Sequence, residues 1–134
     1  MGGTDRTESP DRGSRVLVVD DSDAIRELIV VNLELEGYDV RSAADGEQAL
    51  EVVRQWRPDV VTLDVVMPRL DGFETLGRLR ADPATADIPV VIVTGRAQAA
   101  DRARGEALGA EAYLPKPFEP AELVSVVGRL AISG

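Results

Sequence analysis

Five short apolar runs, each bounded by Asp, Pro or Gly, constrain what this chain can fold into more than any other feature; they occupy residues 16–19, 38–42, 60–63, 90–93 and 112–114. Runs such as Val16-Leu17-Val18-Val19 and Val90-Val91-Ile92-Val93 show no polar alternation, so neither face of the strand they form can be turned to water. Strands of that kind belong to parallel sheets covered by helices on both sides. The run at 38–42 is the weakest and the one at 112–114 the shortest. Alternation of these runs with segments of helical period predicts an α/β fold: a doubly wound, five-stranded parallel sheet with right-handed crossovers and helices on both faces.

The intervening segments carry helix punctuation. Ile25, Leu28, Ile29 and Leu33 give the first helix a core stripe, and Gly37 supplies its stop. Asp45 stands three residues before Gln48, a capping-box spacing, and Ala49, Val53 and Trp56 follow on one face. Asp71 and Glu74 repeat that spacing ahead of Phe73, Leu76 and Leu79. The last helix starts near Pro120 and carries Leu123, Val126, Val127 and Leu130. The fourth, over 97–108, offers mainly Ala99, Ala103, Ala107 and Leu108 as an inward face, which fits either a loosely anchored helix or a small-residue helix packed close to the sheet. Residues 1–14 are polar and glycine-rich and read as a disordered leader, 15–131 as one domain and 132–134 as a tail.

At 134 residues the chain is long enough for one core without disulfide or metal staples. It contains no Cys, which excludes thiolate nucleophiles and thiolate metal sites, and no His, which removes the usual general base, the usual zinc ligand and any internal phosphohistidine. The available chemistry is therefore that of carboxylates, hydroxyls, amines and backbone groups. A net charge of −9 argues against direct nucleic-acid binding, which needs a basic face, and favours hard cations or basic protein surfaces. No apolar run approaches the roughly 20 residues of a bilayer span, so no membrane insertion is expected. With Arg6 where a myristoylation signal needs Ser or Thr, and no signal peptide, the expected location is the cytoplasm.

In an open parallel sheet, ligands bind beyond the carboxyl ends of the strands, where strand order reverses. The first run ends in Asp20-Asp21, the third in Asp64, the fourth in Thr94-Gly95, and the fifth in Leu114-Pro115-Lys116-Pro117. If the strands lie in the order 2-1-3-4-5, Asp20, Asp21 and Asp64 converge. Carboxylates held that close repel, and a hard divalent cation relieves the repulsion. Mg²⁺ suits the set because it takes a few carboxylates, keeps several waters and recruits phosphate oxygens. A single Asp at a strand end reads as a turn or cap residue, and Asp21 can serve partly in that way. Three on neighbouring strands, with Thr94 and Lys116 on the next two, point to a site.

The set Asp20-Asp21, Asp64-Val65-Val66-Met67-Pro68-Arg69-Leu70-Asp71-Gly72, Thr94, Tyr113 and Lys116-Pro117 resembles the receiver domain of bacterial two-component response regulators. The resemblance runs from about Arg15 to Leu130 and is closest to the stand-alone, chemotaxis-regulator type. It implies the flavodoxin-like strand order 2-1-3-4-5 and a phosphorylation-activated switch that is not an enzyme, though it assists its own phosphorylation and autodephosphorylation. By that resemblance Asp64 accepts the phosphoryl group, and Mg²⁺ is held by Asp20, Asp21, Asp64 and the backbone carbonyl of Val66. Lys116 contacts the phosphate, Thr94 donates its hydroxyl to it, and the Gly95 N–H adds a second donor. The Lys116–Pro117 bond is expected to be cis, aiming the ammonium into the pocket. Tyr113 is the switch aromatic, moving as Thr94 moves and altering the surface of the fourth helix, fifth strand and fifth helix. Its plainer reading is a half-buried strand aromatic.

The implied partners are a histidine kinase or histidine phosphotransfer protein as donor, and a downstream protein target that the sequence leaves unknown. A phosphorylation-dependent homodimer is one assembly the resemblance allows. The chain ends four residues after Leu130, which is read as leaving no room for an output domain; a stand-alone regulator and a fragment both fit.

Val66 departs from the commonest pattern, in which a polar side chain stands two residues after the acceptor. It cannot orient an attacking water, so slow hydrolysis of the acyl phosphate is expected. It also speaks against an Asp-nucleophile phosphatase, which places its acid/base Asp there. A flavodoxin-type cofactor carrier needs a phosphate-cradling loop after the first strand, and Asp20-Asp21-Ser22-Asp23 would repel one. A pseudo-receiver, binding partners without phosphorylation, is the remaining alternative.

Overall fold

The computed structural model describes residues 14–67, 70–95 and 99–133. Most of the expected leader, Pro68 and Arg69 of the motif after Asp64, and Ala97 at the expected start of the fourth helix lie outside the described residues. Strands β1 (Arg15–Val19), β2 (Asp39–Ala43), β3 (Val60–Leu63), β4 (Val90–Thr94) and β5 (Ala112–Pro115) alternate with helices α1 (Asp23–Leu35), α2 (Gly46–Trp56), α3 (Gly72–Ala81), α4 (Ala99–Ala107) and α5 (Pro120–Ser133). All the pairings are parallel, in the order β2-β1-β3-β4-β5.

The unalternating runs behave as their composition dictates, because each central strand feeds two cores. Leu17, Val19, Val61, Leu63, Val90 and Ile92 point into one layer with Ala49, Val53, Phe73, Leu76 and Leu79 of α2 and α3. Val16, Val18, Val60, Val91 and Val93 point into the other, with Ile29 and Leu33 of α1 and Leu123 and Val127 of α5. Every residue of β3 and β4 is buried. Strand β2 is an edge and is mostly exposed, which is why its run reads as the weakest.

Ser22 caps α1, and acidic residues cap α2 and α3. The Asp45 carboxylate accepts from the Gln48 N–H, although the Gln48 side chain reaches back to Ala44 rather than to the cap itself. Asp71 and Glu74 form the full reciprocal box at the start of α3. Helix α1 closes at Gly37, whose φ of 97° only glycine adopts without strain. Trp56, at the end of α2, lies between the guanidinium groups of Arg15 and Arg41, 5.5 and 4.8 Å from its ring centre.

Some expectations are corrected. Leu28 is 42% exposed. The inward row of α1 is Ile25, Ile29 and Leu33, spaced by four, and a residue one step off that row is rotated about 100° toward water. In α4, Ala103 and Ala107 are exposed, whereas Asp101, Gly105 and, in part, Leu108 face the sheet. The helix approaches the sheet closely there: a Cβ on Gly105 would lie 2.8 Å from Ile92 Cδ1, so a larger residue requires the Ile92 side chain to shift. The side chain of Ala99 lies outside the described residues.

Ser14, last residue of the expected leader, accepts a bond from the Asp39 N–H at 2.9 Å, and α5 runs through Ser133 into the expected tail. Thr62 is buried in β3 with its hydroxyl unpaired among the described residues, between Val18 and Val91. An unpaired buried hydroxyl costs about 1–3 kcal/mol. Thr62→Val, nearly the same shape, is expected to stabilise the fold by about 1 kcal/mol in chemical denaturation; a loss of stability would show that the hydroxyl has a partner in solution.

Candidate functional site

The parallel ladder continues one residue beyond the strands, and this brings the site together. The Asp20 N–H donates to Ala43 O at 3.1 Å, the Asp64 N–H to Val19 O at 3.0 Å, and the Lys116 N–H to Thr94 O at 2.9 Å. Asp20, Asp64, Thr94 and Lys116 are thereby lined up along the carboxyl edge of β1, β3, β4 and β5. Asp21 follows Asp20 at the entrance to α1. One carboxylate oxygen from each of Asp20, Asp21 and Asp64 lies within 4.8 Å of the other two. Asp20 and Asp64 are 1% and 5% exposed, while Asp21 is open to solvent.

Two buried carboxylates share one ammonium. Lys116 Nζ donates to Asp20 Oδ2 at 2.8 Å and to Asp64 Oδ2 at 3.3 Å. Burial by itself would push the Lys116 ammonium down, but the hydrogen bond to Asp20 and the Asp64 charge outweigh it and hold its pKa above the ordinary lysine value. Lys116 is therefore charged at neutral pH. The Lys116–Pro117 peptide is cis, as the resemblance implied.

The remaining lone pairs are held from below. Asp20 Oδ1 accepts from the Ser22 N–H at 2.9 Å, and Asp64 Oδ1 from the Val66 N–H at 3.2 Å. Val66 itself is 52% exposed, its side chain directed away from the core. Thr94 is fully buried and Gly95 exposed, with open space where a Cβ would stand. Tyr113 pairs in register with Ile92, is half-buried, and carries the Arg102 guanidinium 5.0 Å from its ring centre.

Two residues that shape the site were not singled out from the sequence for that purpose. Gly72 opens α3 with its N–H bound to Val65 O at 3.1 Å, and a Cβ on it would fall 2.2 Å from Asp64 O. Arg26 donates to Asp20 O at 2.8 Å from the first turns of α1. The first had a signal, a glycine beside an N-cap Asp; the second had none. A cleft of about 320 Å³ between Arg15, Arg57, Asp59, Asp87 and Pro89 lies at the opposite, amino end of the strands and shares no residue with this site.

The sequence matches the family model of the response regulator receiver domain over residues 16–128. The chain belongs to that family. Receiver domains take this fold elsewhere: the Vibrio cholerae chemotaxis protein CheY4 superposes with a TM-score of 0.84 at 36% identity, over 88% of this chain and 98% of that one. A putative response regulator from Chloroflexus aurantiacus gives 0.85 at 37% identity, over 90% and 98%. The DNA-binding dual master transcriptional regulator RpaA of Synechocystis is 43% identical over 116 residues, 87% of this chain and 48% of that protein. The response regulator MprA of Mycolicibacterium vanbaalenii is 45% identical over 111 residues, 83% and 47%. The receiver domain described here thus spans about half the length of the curated relatives it matches. Among the described residues, no helix is long and apolar enough to cross a membrane.

Proposed function

We propose that this receiver domain is a phosphorylation-activated switch in which Asp64 is the acceptor. The observation that carries the reading is the sharing of Lys116 by Asp20 and Asp64 inside a trio of carboxylates 4.8 Å across. Such a set is short of positive charge, and its donors are all carboxylate oxygens, which fits Mg²⁺ and does not fit softer metals. Asp20, Asp21 and Asp64, with the Val66 carbonyl, would hold the ion. When bound, it neutralises charge on the phosphoryl oxygens during in-line transfer.

The chain's own residues do the rest. An Asp64 carboxylate oxygen forms the new bond to phosphorus as the P–N bond of the donor's phosphohistidine breaks, leaving its electron pair on the imidazole. Lys116, already in contact with Asp64, turns to the incoming phosphoryl oxygens as a point cation. The Thr94 hydroxyl and the Gly95 N–H add donors on the other side. These 134 residues contain no His, so the donor histidine lies outside them, on a histidine kinase or histidine phosphotransfer protein. Tyr113 would pass the change to the surface of α4, β5 and α5, a role supported by its contact with Arg102 of α4.

Incubation with acetyl phosphate and Mg²⁺ followed by intact mass measurement tests this. One added phosphoryl group, absent when Mg²⁺ is chelated before acetyl phosphate is added, is the expected result; no added mass would refute the reading. The exposed apolar Val66 further predicts a long-lived phosphoform. Val66→Asn, which can hold a water near the acyl phosphate, should shorten its lifetime by about tenfold, and equal lifetimes would remove Val66 from the explanation.

A further inference from the structure

We propose that Arg26 is a positioning residue for the divalent-cation site, acting through the peptide that joins Asp20 to Asp21; this rests on reading Asp20, Asp21 and Asp64 as that site. The argument begins with how differently the two neighbouring aspartates are held. Asp20 is fixed at every polar atom. Its N–H donates to Ala43 O, one carboxylate oxygen accepts from the Ser22 N–H, and the other accepts from Lys116. Asp21 is exposed, and among the described residues no side chain donates to its carboxylate. Where its oxygens sit therefore depends on the orientation of its own backbone, and so on the plane of the Asp20–Asp21 peptide.

Arg26 grips that peptide. Its Nη1 donates to Asp20 O at 2.8 Å, while Nη2 pairs with the Asp23 carboxylate. Its side chain is only 21% exposed, whereas that of Asp23 is 91% exposed, so the guanidinium lies folded back over the turn rather than out in solvent. Its two arms thus span the turn from the end of β1 to the first residue of α1, tying the carbonyl between the two aspartates to the helix. The planar fork makes this possible: its two donors sit on separate nitrogens of one rigid group, whereas an ammonium offers all its donors from a single atom. It also adds a cation beside three carboxylates without occupying any oxygen of theirs.

Charge and position push metal affinity in opposite directions, so the two roles can be separated. A nearby cation repels a divalent ion, and its removal should tighten binding if charge were all that Arg26 supplied. Loss of positioning loosens binding, and residues that orient metal ligands without touching the metal are typically worth about 10- to 100-fold in affinity.

The test is Mn²⁺ binding to the full chain, followed by the loss of the free-ion electron paramagnetic resonance signal, in wild type, Arg26→Ala and Arg26→Lys, with thermal melts of each. Wild type should bind, Arg26→Ala should bind about tenfold more weakly, and Arg26→Lys should be weakened as well although its charge is kept. Unchanged or tighter binding by Arg26→Ala, or full rescue by Arg26→Lys, would overturn the positioning role. A lower melting temperature with unchanged affinity would also overturn it, reducing Arg26 to a brace for α1. Failure of wild type to bind Mn²⁺ would instead refute the proposed cation site itself.

Discussion

Asp64→Asn is expected to take up no phosphoryl group from acetyl phosphate and, at the same time, to be more stable than wild type without Mg²⁺. The first effect follows because an amide oxygen is not a competent nucleophile for phosphoryl transfer. The second follows from the charge balance of the site. Asp20 and Asp64 are almost fully buried, Asp21 stands within 4.8 Å of both, and among the described residues Lys116 bridges the buried pair. Removing the Asp64 charge gives up one ion pair at 3.3 Å but relieves two repulsions and the desolvation of a buried carboxylate. A gain of about 1–2 kcal/mol in metal-free denaturation is expected. Added Mg²⁺ should stabilise wild type by mass action and the variant much less. A variant that labels normally would remove Asp64 from the acceptor role. One that labels poorly but is destabilised would show that the carboxylate contributes to the fold, and that the repulsion argument is wrong.

Gly72→Ala should damage stability and labelling together. The new methyl would lie 2.2 Å from Asp64 O, 2.6 Å from Val65 Cα and 2.9 Å from Asp64 C. These are backbone atoms of the segment that carries the acceptor, so no rotamer change relieves the clash. Either α3 lifts off, breaking the Gly72 N–H bond to Val65 O, or the Asp64–Val65 peptide moves and takes the carboxylate with it. A loss of about 3 kcal/mol is expected, the upper part of the range for overpacking, with acetyl phosphate labelling slowed even where the protein is fully folded. Gly77→Ala, in the same helix, is the control: the nearest atom to its Cβ is Leu108 Cδ2 at 4.0 Å, so it should be neutral or slightly stabilising. Wild-type stability in Gly72→Ala would mean that α3 packs less closely on the acceptor loop than the structure shows.

How much of this could be read in advance depends on whether the cause is local. The strands were legible because burial on both faces leaves a direct mark, an apolar run without alternation, and β3 and β4 carry it at every residue. Caps were legible because Asp45 and Asp71 act on backbone groups three residues away. Helix α4 was misread for the complementary reason. Alanines look apolar on a helical wheel, but the face that turns inward carries Gly105, which packs closely on Ile92, a residue of another element. Leu28 failed similarly, since a wide apolar stripe does not say which of its rows meets the sheet.

Read along the chain alone, the residues specify the layered fold, the strand-end positions of Asp20, Asp21, Asp64, Thr94 and Lys116, and, through the motifs, the receiver family. Those follow from periodicity, turn chemistry and residue type, which are properties of short stretches. Only the tertiary structure decided the contacts across long separations: Lys116 between Asp20 and Asp64, 96 and 52 residues away, Gly72 against the acceptor peptide, and Arg26 on the carbonyl of Asp20. The physical reason is that these contacts depend on strand order and on distances of a few tenths of an ångström between elements, which the packing of the whole core sets.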